Sequence, residues 1–104
     1  MTPFRAALLV CGLDQAEAAE ILGVSEITVN AWSRGVRTPS FEAWTVLASR
    51  FAAVEAAAEA LRYQIAPSLM DRKDVASVTV DADLAGSGAD IAAGIGILRA
   101  VLES

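Results

Sequence analysis

The sequence predicts a mainly α-helical fold, a bundle of four to five helices followed by a short C-terminal β-strand and a terminal helix used for dimerisation. Three observations support this prediction. Alanine, the strongest helix former, supplies 22 of the 104 residues. Four segments begin at a residue that caps helices and end at glycine or proline. A fifth segment, near the end of the chain, carries apolar residues at helical spacing.

Three short helices are predicted in the first part of the chain. Each follows a residue whose side chain can accept a hydrogen bond from the first turn, and each ends at a glycine that can adopt the left-handed conformation. Pro3 suits the first position of its helix, and Glu17 completes a capping-box pattern. The three helices are bounded by Thr2 and Gly12, by Asp14 and Gly23, and by Ser25 and Gly35.

A longer fourth helix is predicted from Ser40 to about Gln64, with Pro67 ending it. Its apolar residues recur at spacings of three and four, as in a heptad seam. A helix of about 24 residues spans about 36 Å, so we expect its second half to need a partner beyond the three short helices. The seam consists of Trp44, Leu47, Phe51, Val54, Ala58, Leu61 and Ile65.

The C-terminal part predicts a dimerisation element. Residues 75–80 (VASVTV) have the β-branched content of a short strand, and 90–103 carry a helical apolar stripe. A lone strand needs a mate, and the nearest candidate is its own copy in a second subunit. The alternative is that these elements fold back on the fourth helix within one chain. We therefore divide the chain into a domain at 1–66 and a dimerisation element at 67–104. The residues expected to form the dimer are Leu61, Ile65, Val78, Val80, Ile91, Ile95, Leu98 and Leu102.

Residues Gln15 to Arg34 carry the most specific pattern. Ala19 is small enough for two helices to cross closely, and Gly23 suits the turn between them. Three apolar residues, here called the wedge residues, fill the space between these two helices and the long fourth helix. The segment resembles the helix-turn-helix of the Cro and lambda-repressor (XRE) type, over roughly residues 3 to 55. The three wedge residues are Val24, Val29 and Trp32.

The resemblance implies a DNA-binding surface on the third helix, which in that family enters the major groove. An asparagine there can pair with adenine, an arginine with guanine and a glutamate with cytosine, and apolar side chains can contact thymine methyls. The alternative is that these residues are ordinary solvated surface, with Glu26 favoured by the helix dipole. The implied base-reading residues are Glu26, Ile27, Asn30, Ala31 and Arg34. The implied phosphate contacts are Gln15, Ser25, Thr28 and Arg37.

The charge distribution favours binding by two copies. The net charge is -5, and residues 1–40 hold three arginines against four carboxylates. Few counterions would be released per copy, so one copy should bind weakly. The hypothesis is therefore a homodimeric transcriptional regulator, an autorepressor, that reads a palindromic operator. The layout also resembles small phage and plasmid regulators, including anti-CRISPR-associated autorepressors.

Other function classes find less support. The chain has no histidine and one cysteine, Cys11, whose apolar neighbours predict a buried thiol. Carboxylates at 71 and 74, or at 81, 83 and 90, lack the dense alternation of a calcium loop, so we expect no metal, no cofactor and no enzyme activity. A protein-interaction module, such as an antitoxin or a phage adaptor, is the main alternative.

With no signal peptide and no apolar tract of about 20 residues, we expect a cytoplasmic protein without membrane contact.

Overall fold

The computed structural model of the chain describes residues 1–70 and 87–104. It contains five helices, and no strand occurs within those two ranges. The mainly α-helical prediction is confirmed. The predicted strand at 75–80, which includes Val78 and Val80, lies outside the described residues. The helices are α1 (Pro3–Val10), α2 (Gln15–Leu22), α3 (Glu26–Ser33), α4 (Phe41–Met70) and α5 (Ser87–Glu103).

The predicted caps of the first four helices are confirmed. Asp14 shows the reciprocal pattern most clearly, because its Oδ1 accepts from the Glu17 amide at 2.7 Å and its own amide donates to Glu17 Oε1 at 3.3 Å. These bonds satisfy amides that the helix itself leaves without acceptors. The other capping oxygens are those of Thr2, Ser25 and Ser40, which accept from Arg5, Thr28 and Ala43.

Gly23 makes the turn between α2 and α3. Its φ of 69° lies in the left-handed region, where a side chain would be strained. The amide of Val24 then donates to the Ala19 carbonyl at 3.1 Å, which closes α2. The turn brings α3 back across α2, and the two helices pack against each other.

The core is centred on Phe4 of α1. Its ring meets the rings of Trp32 and Trp44 edge to face, at centroid distances of 5.5 Å and 5.6 Å. Val29 of α3 and Leu47 of α4 are fully buried beside it. One aromatic ring therefore ties α1 to both α3 and α4, and it fixes the angle at which α3 is presented.

The prediction that Pro67 ends the fourth helix is wrong, because α4 continues to Met70. Proline cannot donate the usual backbone hydrogen bond and disfavours a helix interior. However, an existing helix grows by one residue at a time without a new nucleation step. Extension of the alanine-rich α4 outweighs the local preference of the proline. No helix among the described residues is both long enough and apolar enough to cross a membrane.

The terminal helix is confirmed, but its packing corrects part of the dimerisation prediction. α5 packs against α1 and α4 of its own chain, and Leu98 is 0% exposed in that core. A fully covered side chain cannot contact a second copy, so the assignment of Leu98 to a dimer interface is wrong. Ile95 packs against the same core. The alternative, in which the element folds back within one chain, holds for this helix.

The remaining dimer candidates have different surroundings. Leu61 is 51% exposed on α4, and Leu102 is about half exposed near the end of α5. Ile91 is half-buried. The side chain of Ile65 lies outside those that the structure describes.

Candidate nucleic-acid interface

The two sides of α3 differ sharply. Val29, Trp32 and Ser33 are buried and hold one side of the helix against the core. The opposite side is open, and Ile27 in the first turn is 82% exposed. A single exposed isoleucine is ordinary on a protein surface, but here it lies beside charged and polar side chains on a helix whose other side is fixed in the core. The five predicted base-reading residues share this open side or its edges, with Glu26, Ile27 and Arg34 exposed and Asn30 and Ala31 half-buried.

A hydrogen bond links the two helices at this surface. Asn30 Nδ2 of α3 donates to Gln15 Oε1, the first residue of α2, at 3.4 Å. Both side chains are half-buried. A predicted base-reading residue and a predicted phosphate contact are thus in direct contact with each other.

The loop after α3 carries two exposed arginines. Arg34 is the C-cap of α3, and Arg37 follows three residues later. The carbonyl of Ala31 accepts from the amides of Val36 and Arg37, at 3.0 Å and 3.3 Å. This carbonyl therefore anchors the loop to α3. Within the described part of the chain, neither arginine takes part in an ion pair, so both guanidinium groups are available to an external anion.

Comparison with known proteins agrees with this geometry. A helix-turn-helix family model matches residues 5–57. The chain belongs to the helix-turn-helix family of the Cro and lambda-repressor (XRE) type. It is accordingly a DNA-binding helix-turn-helix protein. No curated protein and no solved structure matches the chain. The match ends within α4, so α5 lies outside the part of the chain that the family model covers.

In this helix-turn-helix unit, the other predicted phosphate contacts surround the N-terminus of α3. Ser25 is exposed, and its Oγ both caps α3 and lies 3.0 Å from Thr28 Oγ1. The Ser25 oxygen is therefore already in use within the protein. Thr28 is half-buried, but its hydroxyl can still donate outward if Ser25 donates to it.

Arg5 is a further candidate for a phosphate contact. It lines a cleft of about 300 Å³ together with Gln15 and Asp14, between α1 and the start of α2. Ser33 lines the same cleft, and its Oγ is buried without a hydrogen-bond partner among the described residues. Arg5 thus adds a positive charge near Gln15. No sequence pattern indicated this, because α1 and α2 are brought together only by the fold.

The buried cysteine has no features of a reactive site. Burial raises the pKa of the Cys11 thiol, although the Arg50 guanidinium opposes this shift. The thiol donates to the Leu47 carbonyl at 3.4 Å, and Arg50 Nε donates to the Cys11 carbonyl at 3.0 Å. A thiol with a raised pKa is a poor nucleophile. No cluster of three or more potential metal ligands occurs within residues 1–70 and 87–104.

Proposed function

We propose that this chain is a homodimeric transcriptional repressor that inserts α3 into the major groove of a palindromic operator. The observation that carries the proposal is the open side of α3, with Ile27 82% exposed and Val29 and Trp32 buried behind it. Burying one side of a short helix in the core fixes its orientation. The exposed side is then held rigid, as base reading requires.

The chemistry of the open side suits base edges. Arg34 can donate two hydrogen bonds to guanine O6 and N7, and Asn30 can pair with adenine. Ile27 can pack against a thymine methyl. Glu26 lies in the first turn, where it can accept from the cytosine amino group or simply favour the helix dipole. The side therefore combines donors, acceptors and apolar surface, which sequence-specific reading needs.

Phosphate contacts would come from the rim of this surface. Arg37 in the loop after α3 and Arg5 in the cleft beside Gln15 supply positive charge. Gln15 stands at the N-terminus of α2, where backbone amides without helical acceptors favour anions. These few cations lie among four carboxylates in residues 1–40. Each copy should therefore have modest affinity, and two copies on adjacent half-sites would supply the rest.

A surface for a second copy remains after α5 is assigned to the core. Leu61 and Val54 continue the α4 seam beyond the buried Leu47 and Phe51, and both are substantially exposed. An apolar row on a helix favours pairing with another apolar surface. We therefore place the dimer contact on the second half of α4 rather than on Leu98.

A second candidate function is the protein-interaction module, for example an antitoxin or a phage adaptor. Val36 is 67% exposed and Phe41 is 65% exposed, close to the arginine loop. Large apolar side chains at such exposure suit a protein partner. Both candidate functions use the same fold, so they must be separated by experiment.

The experiment is a footprint of the full chain on the DNA upstream of its own gene, repeated at increasing salt. We expect protection of an inverted repeat with half-sites about 34 Å apart, and an affinity that falls as salt rises. Sedimentation at the same concentrations should give a dimer. Absence of protection at every salt concentration would exclude repression of its own gene and favour the protein-interaction module.

A further inference from the structure

A cleft of about 300 Å³ lies between the start of α1, the loop after α3 and the terminal helix α5. Its walls are mostly apolar, and they include Trp32, Trp44, Pro39 and Ile97. Small-molecule sites are concave and largely apolar, with volumes of about 300 to 1,000 Å³ and a few polar groups that orient the ligand. The cleft therefore has the shape and the lining of a site for a small organic ligand. Ile97 lies outside the residues that the family model matches, so one wall comes from beyond the matched region.

The aromatic rings of the cleft favour an aromatic ligand. Phe4 is buried and contacts both tryptophans edge to face, at centroid distances of 5.5 Å and 5.6 Å. These contacts hold the indole rings in place. Trp32 is itself buried, whereas Trp44 is only half-buried and keeps part of its surface open. A further ring can pack edge to face or offset-stacked against such a surface.

Arg37 determines the charge that the cleft favours. It is the one charged residue among the described residues that line the cleft. Within residues 1–70 and 87–104 it takes part in no ion pair. A guanidinium pairs with a carboxylate through two parallel N–H donors. An aromatic ring that carries a carboxylate therefore matches both the apolar walls and the charge of the cleft.

The same cleft is connected to the end of α3. Thr2 lines it, and Thr2 Oγ1 donates to the carbonyl of Ser33, the last residue of α3, at 2.7 Å. Arg37 is also the phosphate contact predicted for the loop after α3. One guanidinium cannot pair fully with a DNA phosphate and with a ligand carboxylate at the same time. The ligand and DNA should therefore weaken each other's binding by the same factor.

We propose that this cleft binds a small aromatic carboxylate, and that the bound carboxylate weakens DNA binding by occupying Arg37. The ligand site stands on the cleft alone, whereas the effect on DNA rests on the proposed DNA-reading function. A repressor with this property leaves its operator when the carboxylate accumulates.

Three compounds that share one ring and differ in charge test the site: 3-phenylpropionate, 3-phenylpropanamide and 3-phenylpropylamine. Binding to the full-length wild type is followed by tryptophan fluorescence, because the chain has two tryptophans and both line the cleft. The carboxylate should change this emission at about millimolar concentration. The amide should bind about 3- to 5-fold more weakly, a modest ratio because Arg37 is exposed to solvent. The amine should bind more weakly still.

Two substitutions, each with a matched control, locate the site. Arg37→Ala should abolish the preference for the carboxylate over the amide, whereas Arg62→Ala removes the same charge outside the cleft and should leave the preference unchanged. Ile97→Glu places a negative charge in the wall and should make the amine the preferred compound. Ala100→Glu adds the same charge at an exposed position of α5 and should not. Thermal unfolding checks that each variant retains the fold, and if Ile97→Glu does not fold, the two arginine variants decide.

The effect on DNA is measured by fluorescence anisotropy with duplex DNA that carries the footprinted operator, at constant ionic strength. 3-Phenylpropionate should lower the affinity of the wild type until it equals that of Arg37→Ala. The slope of log affinity against log salt concentration should become shallower by about one, because one phosphate contact is lost. Arg37→Ala itself should not respond to the carboxylate.

The results that would overturn the inference differ from those that would overturn the proposed function. If no compound changes the emission up to about 10 mM, or if the amine binds as tightly as the carboxylate, the cleft is not a site for an aromatic carboxylate. If the carboxylate binds but leaves the DNA affinity of the wild type unchanged, the competition for Arg37 is wrong and only the site stands. If the wild type binds no DNA, the proposed function fails, and the fluorescence result still decides whether the cleft binds the carboxylate.

Discussion

Gly94 of α5 lies directly against Pro3 of α1, with no room for a side chain between them. A Cβ on Gly94 would be 2.7 Å from the Pro3 carbonyl oxygen and 3.1 Å from the Ala7 amide nitrogen. Both neighbouring atoms belong to the backbone, so neither can move without shifting α1. The first and last helices of the chain are thus in backbone contact, and α5 is part of the same folding unit as the DNA-binding helices.

Gly94→Ala should therefore destabilise the protein by about 1–3 kcal/mol, as overpacking usually does. The free energy of unfolding from a urea titration measures this effect. Gly96→Ala is the matched control, since a Cβ there meets nothing within 4 Å. It should stabilise the protein by about 0.5–1 kcal/mol, because alanine favours helix over glycine. Equal effects at the two positions would show that α5 does not dock on α1 as described.

Leu98→Ala should cost about 2–5 kcal/mol of unfolding free energy, because it leaves a cavity in the core. Leu102→Ala, on the same helix but about half exposed, should cost much less. Chemical denaturation of both variants compares them directly. A small effect at Leu98 would contradict the packing of α5 into the core.

Arg34→Ala should weaken operator binding by about 1–3 kcal/mol and relax the base preference at one position. Its midpoint of thermal unfolding should stay unchanged, since Arg34 is exposed. Arg37→Ala serves as the comparison. We expect it to weaken binding to all sequences alike. The slope of log affinity against log salt concentration should become shallower by about one. Fluorescence anisotropy with operator and scrambled DNA separates the two patterns. Identical behaviour of the two variants would contradict the assignment of Arg34 to a base.

Loss of the Cys11 proton should make stability fall at alkaline pH. The pKa of the thiol is raised in the folded state, so the folded protein holds this proton more tightly than the unfolded chain does. The resulting stabilisation is complete below the ordinary thiol pKa and is lost as pH rises through the raised value. Urea titrations of the wild type and Cys11→Ala across this range test the prediction. The wild type should lose stability with pH more steeply than the variant, and parallel curves would refute it.

The parts of the fold that the sequence predicts correctly depend on local signals. The caps at Asp14 and Ser25, and the turn at Gly23, each follow from side-chain or backbone preferences within four residues. The same local reasoning failed at Pro67, where extension of a long helix outweighed the preference of one residue.

Contacts between distant segments could not be derived in the same way. An apolar stripe on α5 predicts that one side is covered but does not identify the covering helix. The stripe is therefore equally consistent with a second copy, although Leu98 packs in the core of its own chain. The periodicity likewise places Asn30 on the open side of α3. It gives no information on the bond to Gln15, because the crossing angle of α2 and α3 sets that distance.

Methylation interference on the bound operator probes base reading by α3, since N7 of guanine lies in the major groove. Methylation of one guanine N7 in each half-site should block binding by the wild type. It should weaken Arg34→Ala little further, because the contact is already absent there. If major-groove methylation leaves binding by the wild type unchanged across the protected region, then α3 does not read bases through its open side.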